Sequence, residues 1–110
     1  MRDVIGTKIK IKRRLNNMAK VIVRTDRAGV FFGELVEKNG TEVQMKNVRK
    51  LFYWTGAAAI EQLALEGTKR PNECKFTVVV SEMEITGVIQ IIPCTEEAIA
   101  NIEAVKVWKM

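Results

Sequence analysis

Apolar residues in the first half of the chain form short strand-like stretches, either as runs or in alternation with polar residues. These stretches are residues 19–24, 30–37 and 41–45, the last of which alternates. Turn-forming residues occupy 25–29, and Asn39-Gly40 between the last two stretches is a strong hairpin signal. The sequence therefore predicts a β-meander. Within it we expect a bulge or close backbone approach at Gly33 and an irregularity at Asn47.

The second half of the chain combines helical and strand patterns. An Ala-rich stretch predicts a helix over residues 57–66, with Thr55 as its N-cap and Gly67 just after its end. Residues 76–80 and 85–92 are rich in β-branched side chains, and Thr95 is placed to cap a helix over 96–105. We therefore predict an α+β fold: a bent antiparallel β-sheet or open small barrel with two short helices.

Three consecutive aromatic residues, Phe52, Tyr53 and Trp54, follow the basic pair Arg49-Lys50. Successive strand residues face opposite sides, so the three rings cannot all be in the core, and if Phe52 and Trp54 share the buried face, Tyr53 points outward. Two interpretations remain open. The run is either a core strand entering a helix, or a stacking surface beside positive charge that suits a nucleotide or another flat anion.

The net charge of +5 comes from eighteen Lys and Arg against thirteen Asp and Glu. The basic residues are concentrated in residues 8–20, 46–50 and 69–75, whereas acids are more frequent towards the C-terminus. This asymmetry favours an anionic partner, although a solvated surface that keeps the protein in solution explains it as well.

The chain contains no histidine, which removes the commonest general base and the commonest zinc ligand. Ser81 therefore lacks an activating base, and no metal-ligand spacing or glycine-rich phosphate loop occurs. Cys74 and Cys94 are interpreted as free thiols. We expect a binding protein rather than an enzyme, with no cofactor and no metal.

A set of basic, aromatic and amide side chains remains as candidate ligand contacts. Arginine grips phosphate and stacks on bases, asparagine reads a base edge, and exposed rings stack. The predicted ligand-binding residues are Arg24, Arg27, Arg49, Tyr53, Trp54, Lys69, Arg70 and Asn72.

Several segments resemble a family of short bacteriophage and prophage proteins of uncharacterised activity. The resemblance covers residues 18–110 and is most specific at Tyr-Trp-x-Gly-Ala (53–57) and Ile-Pro-Cys-Thr (92–95); it also includes residues 28–35, 62–67, 74–76 and 91–96. Members of that family look as though they begin near Met18. This agrees with a second hypothesis, that residues 12–17 are a translated ribosome-binding site, which would make residues 1–17 an extension of a single domain.

A weaker resemblance is to phage sponges that sequester cyclic nucleotide immune signals, such as the Thoeris anti-defence proteins. It implies a non-enzymatic homo-oligomer that takes up a small anionic nucleotide in the cytoplasm of the infected bacterial host, in the service of immune evasion. No membrane segment or secretory signal is visible. The alternatives are an Sm-like nucleic-acid-binding module, which the meander over 21–48 resembles, and a phage structural or host-factor-binding protein.

Overall fold

The computed structural model describes residues 19–110, which form one antiparallel sheet and two helices. The predicted N-terminal extension lies outside the described residues. The predicted α+β class is confirmed. The strands are β1 (Lys20–Thr25), β2 (Val30–Asn39), β3 (Glu42–Tyr53), β4 (Lys75–Phe76), β5 (Val80–Ile85) and β6 (Val88–Pro93), the helices are α1 (Ile60–Glu66) and α2 (Glu96–Ala104), and a 3₁₀ turn covers Pro71–Glu73.

The order of strands shows that the sheet is strongly curled. It runs β4-β3-β2-β1-β6, and β5 pairs with the first half of β3, on the same side as β4. Only Thr86 and Gly87 join β5 to β6, although these strands pair with opposite sides of the meander. Hydrogen bonds from Asp26 N to Gly87 O and from Val88 N to Thr41 O, at 3.0 and 2.9 Å, hold this corner. The result is a bent sheet that does not close into a barrel.

Two apolar cores lie on the two faces of the sheet. Both helices pack on one face, where Leu63 and Ile102 bury themselves against Phe76. Among the described residues no helix covers the other face, yet Val23 and Met45 are buried there. These side chains are shielded because the sheet curls around them, and Ile85 completes that inner core from β5.

The β2–β3 hairpin confirms the turn predicted at Asn39-Gly40, with Gly40 at φ 64°. Further along the hairpin the pairing shifts register, and Asn47 takes a φ of 51°. Gly33 lies opposite this irregularity, where a Cβ would stand 3.0 Å from the Cα of Val48. Both predicted irregularities are therefore present, and they bend the hairpin.

The first helix begins later than predicted. It starts at Ile60, and Ala59 precedes it without a side-chain cap, so the prediction that Thr55 caps this helix was wrong. The backbone carbonyl of Thr55 instead accepts a hydrogen bond from Thr68, in a loop that departs from the helix axis. The end was predicted correctly, because Gly67 has φ 79° and donates its N–H to Leu63 O.

The second helix follows the sequence prediction closely. Thr95 Oγ1 accepts a hydrogen bond from Ala98 N at 3.1 Å, and the helix ends at Ala104. Cys74 and Cys94 are free thiols, as predicted, with Cys74 buried and Cys94 half-buried. Neither helix in residues 19–110 is long and apolar enough to cross a bilayer.

Candidate functional site

The aromatic run at the end of β3 is arranged differently from the predicted alternation. Leu51 is buried, but Phe52 and Tyr53 are both exposed, by 56% and 49%. The pairing between β3 and β4 shifts register between Leu51 and Tyr53, which breaks the alternation at this point. Phe52 and Trp54 therefore do not share a buried face, and Tyr53 points outward together with Phe52.

Trp54 occupies an intermediate position. Its side chain is half-buried and packs against the core on the helix side of the sheet. This agrees with the predicted inward orientation and leaves only part of the indole accessible. Trp54 therefore stabilises the end of β3 more than it offers a free stacking face.

Phe52 instead stacks on Trp108, near the C-terminus. Their ring centroids are 5.1 Å apart and their planes differ by 12°. The ammonium of Lys75 lies 5.4 Å from the Trp108 ring centroid and 5.9 Å from that of Tyr53. All four side chains are exposed. We call Phe52, Tyr53, Lys75 and Trp108 the aromatic–lysine surface.

The C-terminal tail reaches this surface by joining the sheet. Val107 forms a parallel bridge with Phe76 in β4, and Trp108 N donates to Phe76 O at 2.9 Å. Lys75 is in turn fixed opposite Tyr53 by the pairing of β4 with β3. Backbone pairing therefore brings together three segments that are far apart in the sequence.

Arg49 is not on a surface at all. Its side chain points into the protein, where the residue is 3% exposed, and it donates hydrogen bonds to four carbonyl oxygens. The acceptors are Thr77 O at 3.1 Å, Ile102 O at 3.1 Å, Val105 O at 3.0 Å and Phe76 O at 3.2 Å. Burial lowers the pKa of Arg49. The guanidinium predicted to bind a ligand is thus used to join α2, β4 and the tail.

A loop pair lies beside the aromatic–lysine surface. Lys69 N donates to Gly56 O at 3.1 Å, and Thr68 Oγ1 donates to Thr55 O at 2.5 Å. Gly56, at φ 86°, makes this contact possible, because a Cβ there would lie 2.6 Å from the backbone nitrogen of Arg70. The fold therefore places Thr55 and Gly56, which follow the aromatic run, next to residues 68–70.

The cations of this loop are exposed but partly neutralised. Lys69 Nζ is 3.8 Å from Glu66, and Arg70 Nη1 is 3.7 Å from Glu73. Asn72 is exposed in the 3₁₀ turn that follows. Exposed ion pairs of this kind are weak, so both cations remain able to meet an anion.

Arg24 and Arg27 form a separate group at the other side of the sheet. Arg24 is on β1, and β2 and β3 separate it from β4, a distance of roughly 14 Å at the usual strand spacing. A hydrogen bond from Gln90 and, to a smaller extent, the charge of Arg24 lower the pKa of Glu61 on α1. Arg27 is exposed in the β1–β2 turn. The structure does not bring this pair to the aromatic–lysine surface.

The charge of the described residues differs from that of the whole chain. Residues 1–18 contain six of the eighteen basic residues and one of the thirteen acids, so residues 19–110 carry twelve of each. The described residues are therefore neutral overall. Any attraction for anions within them therefore depends on the local arrangement of basic side chains.

Other parts of the described chain are less suited to a ligand. A hollow of about 70 Å³ at the β2–β3 hairpin is lined by Glu37, Asn39, Glu42, Val43 and Gln44. It is too small for a nucleotide, and its two carboxylates repel anions. Within residues 19–110 no three His, Cys, Asp or Glu side chains gather into a group that would hold a metal ion.

Three residues of the aromatic–lysine surface were missed by sequence reasoning. Phe52 was placed in the core because alternation cannot reveal a register shift. Lys75 belongs to the third basic cluster of the sequence, and Trp108 lies between Val107 and Lys109 in the C-terminal tail. These residues come together through β4 and through the bridge between β4 and the tail. The sequence gives almost no signal for β4, because the strand is only two residues long.

Comparison with known proteins identifies a family whose description assigns no function. A family model described as a domain of unknown function (DUF6948) matches residues 18–102. No curated protein matches the chain.

Proposed function

Because the chain belongs to the DUF6948 family, whose description assigns no activity, we propose from its geometry that the aromatic–lysine surface binds a small anionic nucleotide without turning it over. The observation that carries this proposal is the position of Lys75, whose ammonium lies within 6 Å of the Tyr53 and Trp108 ring centroids. A base stacks on an exposed ring, and an ammonium binds a phosphate. A single cation beside two aromatic rings therefore suits one nucleotide, whose phosphate would bind the cation while its base stacks on a ring.

Within residues 19–110 the balance of charges favours a small ligand over a nucleic acid. Binding to a long polyanion depends on several cations that each neutralise a phosphate. Residues 19–110 carry no net charge, and Arg24 and Arg27 are on another part of the sheet. The local cation of Lys75, with Lys69 and Arg70 on the adjoining loop, supports recognition of one or two phosphates.

The chemistry of the described residues supports binding without catalysis. The thiol of Cys94 is held as a neutral group because burial raises its pKa to about 12. It is therefore a poor nucleophile near neutral pH. The aromatic–lysine surface itself contains no carboxylate or thiol, and its cation suits electrostatic binding.

The biological role in this proposal is sequestration of a host signal. A protein that holds a cyclic nucleotide immune messenger, and does not consume it, acts in stoichiometric amounts in the cytoplasm of an infected bacterium. The phage origin and the anti-defence role come from the resemblances in the sequence. The surface geometry supports only the binding step.

Isothermal titration calorimetry of the full chain tests the binding step. The probes are cyclic di-AMP, cyclic ADP-ribose, ADP-ribose and AMP, with a twenty-residue oligothymidine as the nucleic-acid arm. We expect saturable binding of at least one small nucleotide. Tyr53→Ala and Lys75→Ala are each expected to weaken it by about tenfold or more, since a stacked base contributes about 1–3 kcal/mol.

Two exposed residues outside the surface provide matched controls. Ile89→Ala removes an exposed apolar side chain from β6, and Lys38→Ala removes an exposed cation from β2. Both are expected to bind as the unsubstituted chain does. Binding by none of the four small nucleotides would overturn the proposal, and so would equal losses in the test and control variants. Salt-sensitive binding of the oligonucleotide alone would support the nucleic-acid alternative.

A further inference from the structure

One side chain of the tail contacts both kinds of group that a nucleotide needs at the aromatic–lysine surface. The indole of Trp108 stacks on Phe52, with ring centroids 5.1 Å apart and planes that differ by 12°. The ammonium of Lys75 lies 5.4 Å from the centroid of the same indole. A base that stacks on this face of Phe52 while its phosphate binds Lys75 would take the position of the indole. Trp108 therefore competes with such a ligand.

The shape of the indole indicates which base this position accommodates. Indole and purine are both flat bicyclic systems, a six-membered ring fused to a five-membered ring, whereas a pyrimidine is a single ring. The near-parallel arrangement of Trp108 and Phe52 is also the arrangement of a base stacked on an aromatic side chain. The position of the indole thus accommodates a flat bicyclic ring beside a cation.

The segment that carries Trp108 is held firmly where it begins and lightly beyond that point. Val105 is 4% exposed, and its carbonyl accepts a hydrogen bond from Arg49 at 3.0 Å. Every residue after Val105 is exposed. The backbone contacts that hold them are a single bridge from Val107 to Phe76 and one hydrogen bond to the carbonyl of the same phenylalanine. Segments with few buried contacts open without unfolding of the core.

We propose that residues 106–110 form a displaceable cover: the indole of Trp108 occupies Phe52 in the free protein, and a purine nucleotide displaces it. This inference rests on the proposed function of the same surface, and it adds the class of base and the control of access. When the cover opens, Phe52 offers a free ring face and Lys75 loses one of its two aromatic neighbours. The apparent affinity is then the intrinsic affinity reduced by the fraction of molecules whose cover is open.

Amide hydrogen exchange of the full chain without ligand, followed by NMR, tests whether the cover opens. After correction for intrinsic rates, the Trp108 N–H is expected to exchange about tenfold or more faster than the Val88 N–H, which is hydrogen-bonded at the corner between β5 and β6. Phe52→Ala is expected to accelerate exchange at Trp108 about threefold or more, because it removes the stack. Ile89→Ala removes an exposed side chain of β6 and is expected to leave that rate unchanged. Equal protection of the two amides would overturn the cover.

Removal of the cover is expected to strengthen nucleotide binding. A chain that ends at Lys106 and the Trp108→Ala chain are each titrated by calorimetry with AMP, cyclic di-AMP, cyclic ADP-ribose and ADP-ribose. Both are expected to bind about tenfold more tightly than the full chain, as for a cover that is closed about nine-tenths of the time. A chain that ends at Lys109 loses Met110 alone, and its affinity is expected to be unchanged. Circular dichroism confirms that each variant is folded.

The class of base is tested with nucleotides that differ in the base and share the phosphate groups. AMP is expected to bind about threefold or more tightly than UMP, and cyclic di-AMP than cyclic di-UMP, since a bicyclic base covers more of an aromatic ring. In a Trp54→Phe chain, Trp108 is the one remaining tryptophan. Its emission is expected to shift to longer wavelength as AMP or cyclic di-AMP releases the indole into water. Binding without this shift would overturn displacement.

The remaining outcomes separate this inference from the proposed function. Weaker or unchanged binding by both tail variants would make Trp108 a fixed part of the surface or a bystander, which overturns the cover and leaves the proposed function standing. Equal affinities within each purine–pyrimidine pair would overturn the assignment of a purine in the same way. Absence of binding by all four adenine nucleotides, in the full chain and in the chain that ends at Lys106, would overturn both proposals.

Discussion

The guanidinium of Arg49 donates a hydrogen bond to the backbone carbonyl of Ile102 at 3.1 Å, across 53 residues of sequence. The same nitrogen reaches Val105 O at 3.0 Å, beyond the end of α2. The last carbonyls of a helix lack intrahelical partners and carry partial negative charge. The buried side chain of Arg49, on β3, thus donates hydrogen bonds to carbonyl groups at the end of α2. Its acceptors are backbone carbonyls and not a carboxylate.

Replacement of Arg49 by Met is expected to lower the free energy of unfolding by roughly 3 kcal/mol, because four buried carbonyl groups would lose a charged donor. Urea unfolding followed by circular dichroism measures the change. Lys46→Met, at an exposed position of the same strand, is the control and is expected to stay within about 0.5 kcal/mol of the unsubstituted chain. Equal stability of the two variants would contradict the structural role of Arg49.

Gly56→Ala is expected to disturb the loop pair beside Tyr53. The new Cβ would lie 2.6 Å from the backbone nitrogen of Arg70, in addition to the strain of φ 86°. Gly40→Ala has a similar strain, at φ 64°, but meets no atom within 4 Å. We therefore expect Gly56→Ala to lose more stability than Gly40→Ala, by about 1–3 kcal/mol, in matched thermal unfolding. Indistinguishable losses would show that the two loops are not held together.

The thiol of Cys94 is expected to make stability depend on alkaline pH. Burial raises its pKa to about 12, from an ordinary value of 9.0. The folded state therefore keeps a proton that the unfolded state releases, and the resulting stability is present below pH 9 and lost as pH rises from 9 towards 12. Urea unfolding at pH 8 and pH 10.5 measures this loss. The loss of stability should be smaller in Cys94→Ala. An identical pH dependence of stability in the two proteins would contradict the prediction.

Thr95→Ala is expected to cost about 1 kcal/mol of folding stability, the usual loss for an N-cap. Its hydroxyl accepts from Ala98 N at 3.1 Å and donates to Leu65 O at 2.7 Å, so it also joins α2 to α1. Thr86→Ala removes an exposed hydroxyl from the β5–β6 corner and serves as the control. Chemical denaturation of the two variants in parallel decides whether the cap contributes, since equal midpoints would count against it.

Local sequence signals predicted those parts of the fold that depend on neighbouring residues. Asn39-Gly40 forms its hairpin and Thr95 caps its helix because each needs only a few adjacent residues. Thr55 satisfied the same local criterion and yet does not cap α1. Its position depends on Thr68 and Asn101, which hold the loop through hydrogen bonds that no local pattern encodes.

The candidate site was predictable only in part, for a related reason. The short helix returns the chain towards the end of β3, so that Thr55 and Gly56 contact residues 68–70, but Arg24 and Arg27 lie elsewhere on the sheet. Arg49 and Phe52 exchanged the expected sides: the charged residue is buried and the apolar one is exposed. A buried arginine requires several carbonyl acceptors at once, and these belong to α2, β4 and the tail, which sequence patterns do not place.

The pairing of β1 with β6, the strand that follows the two-residue connection at Thr86-Gly87, also has a consequence for the order of folding. The strands β1 and β6 are paired although almost 70 positions separate Val23 from its partner Ile91. Closing such a loop costs conformational entropy before any contact repays it. During synthesis, the hairpin of β2 and β3 is complete long before either β6 or α2 exists. The nascent protein must therefore pass through a stage in which the future inner core is open on one side and the guanidinium of Arg49 still awaits the carbonyls of α2.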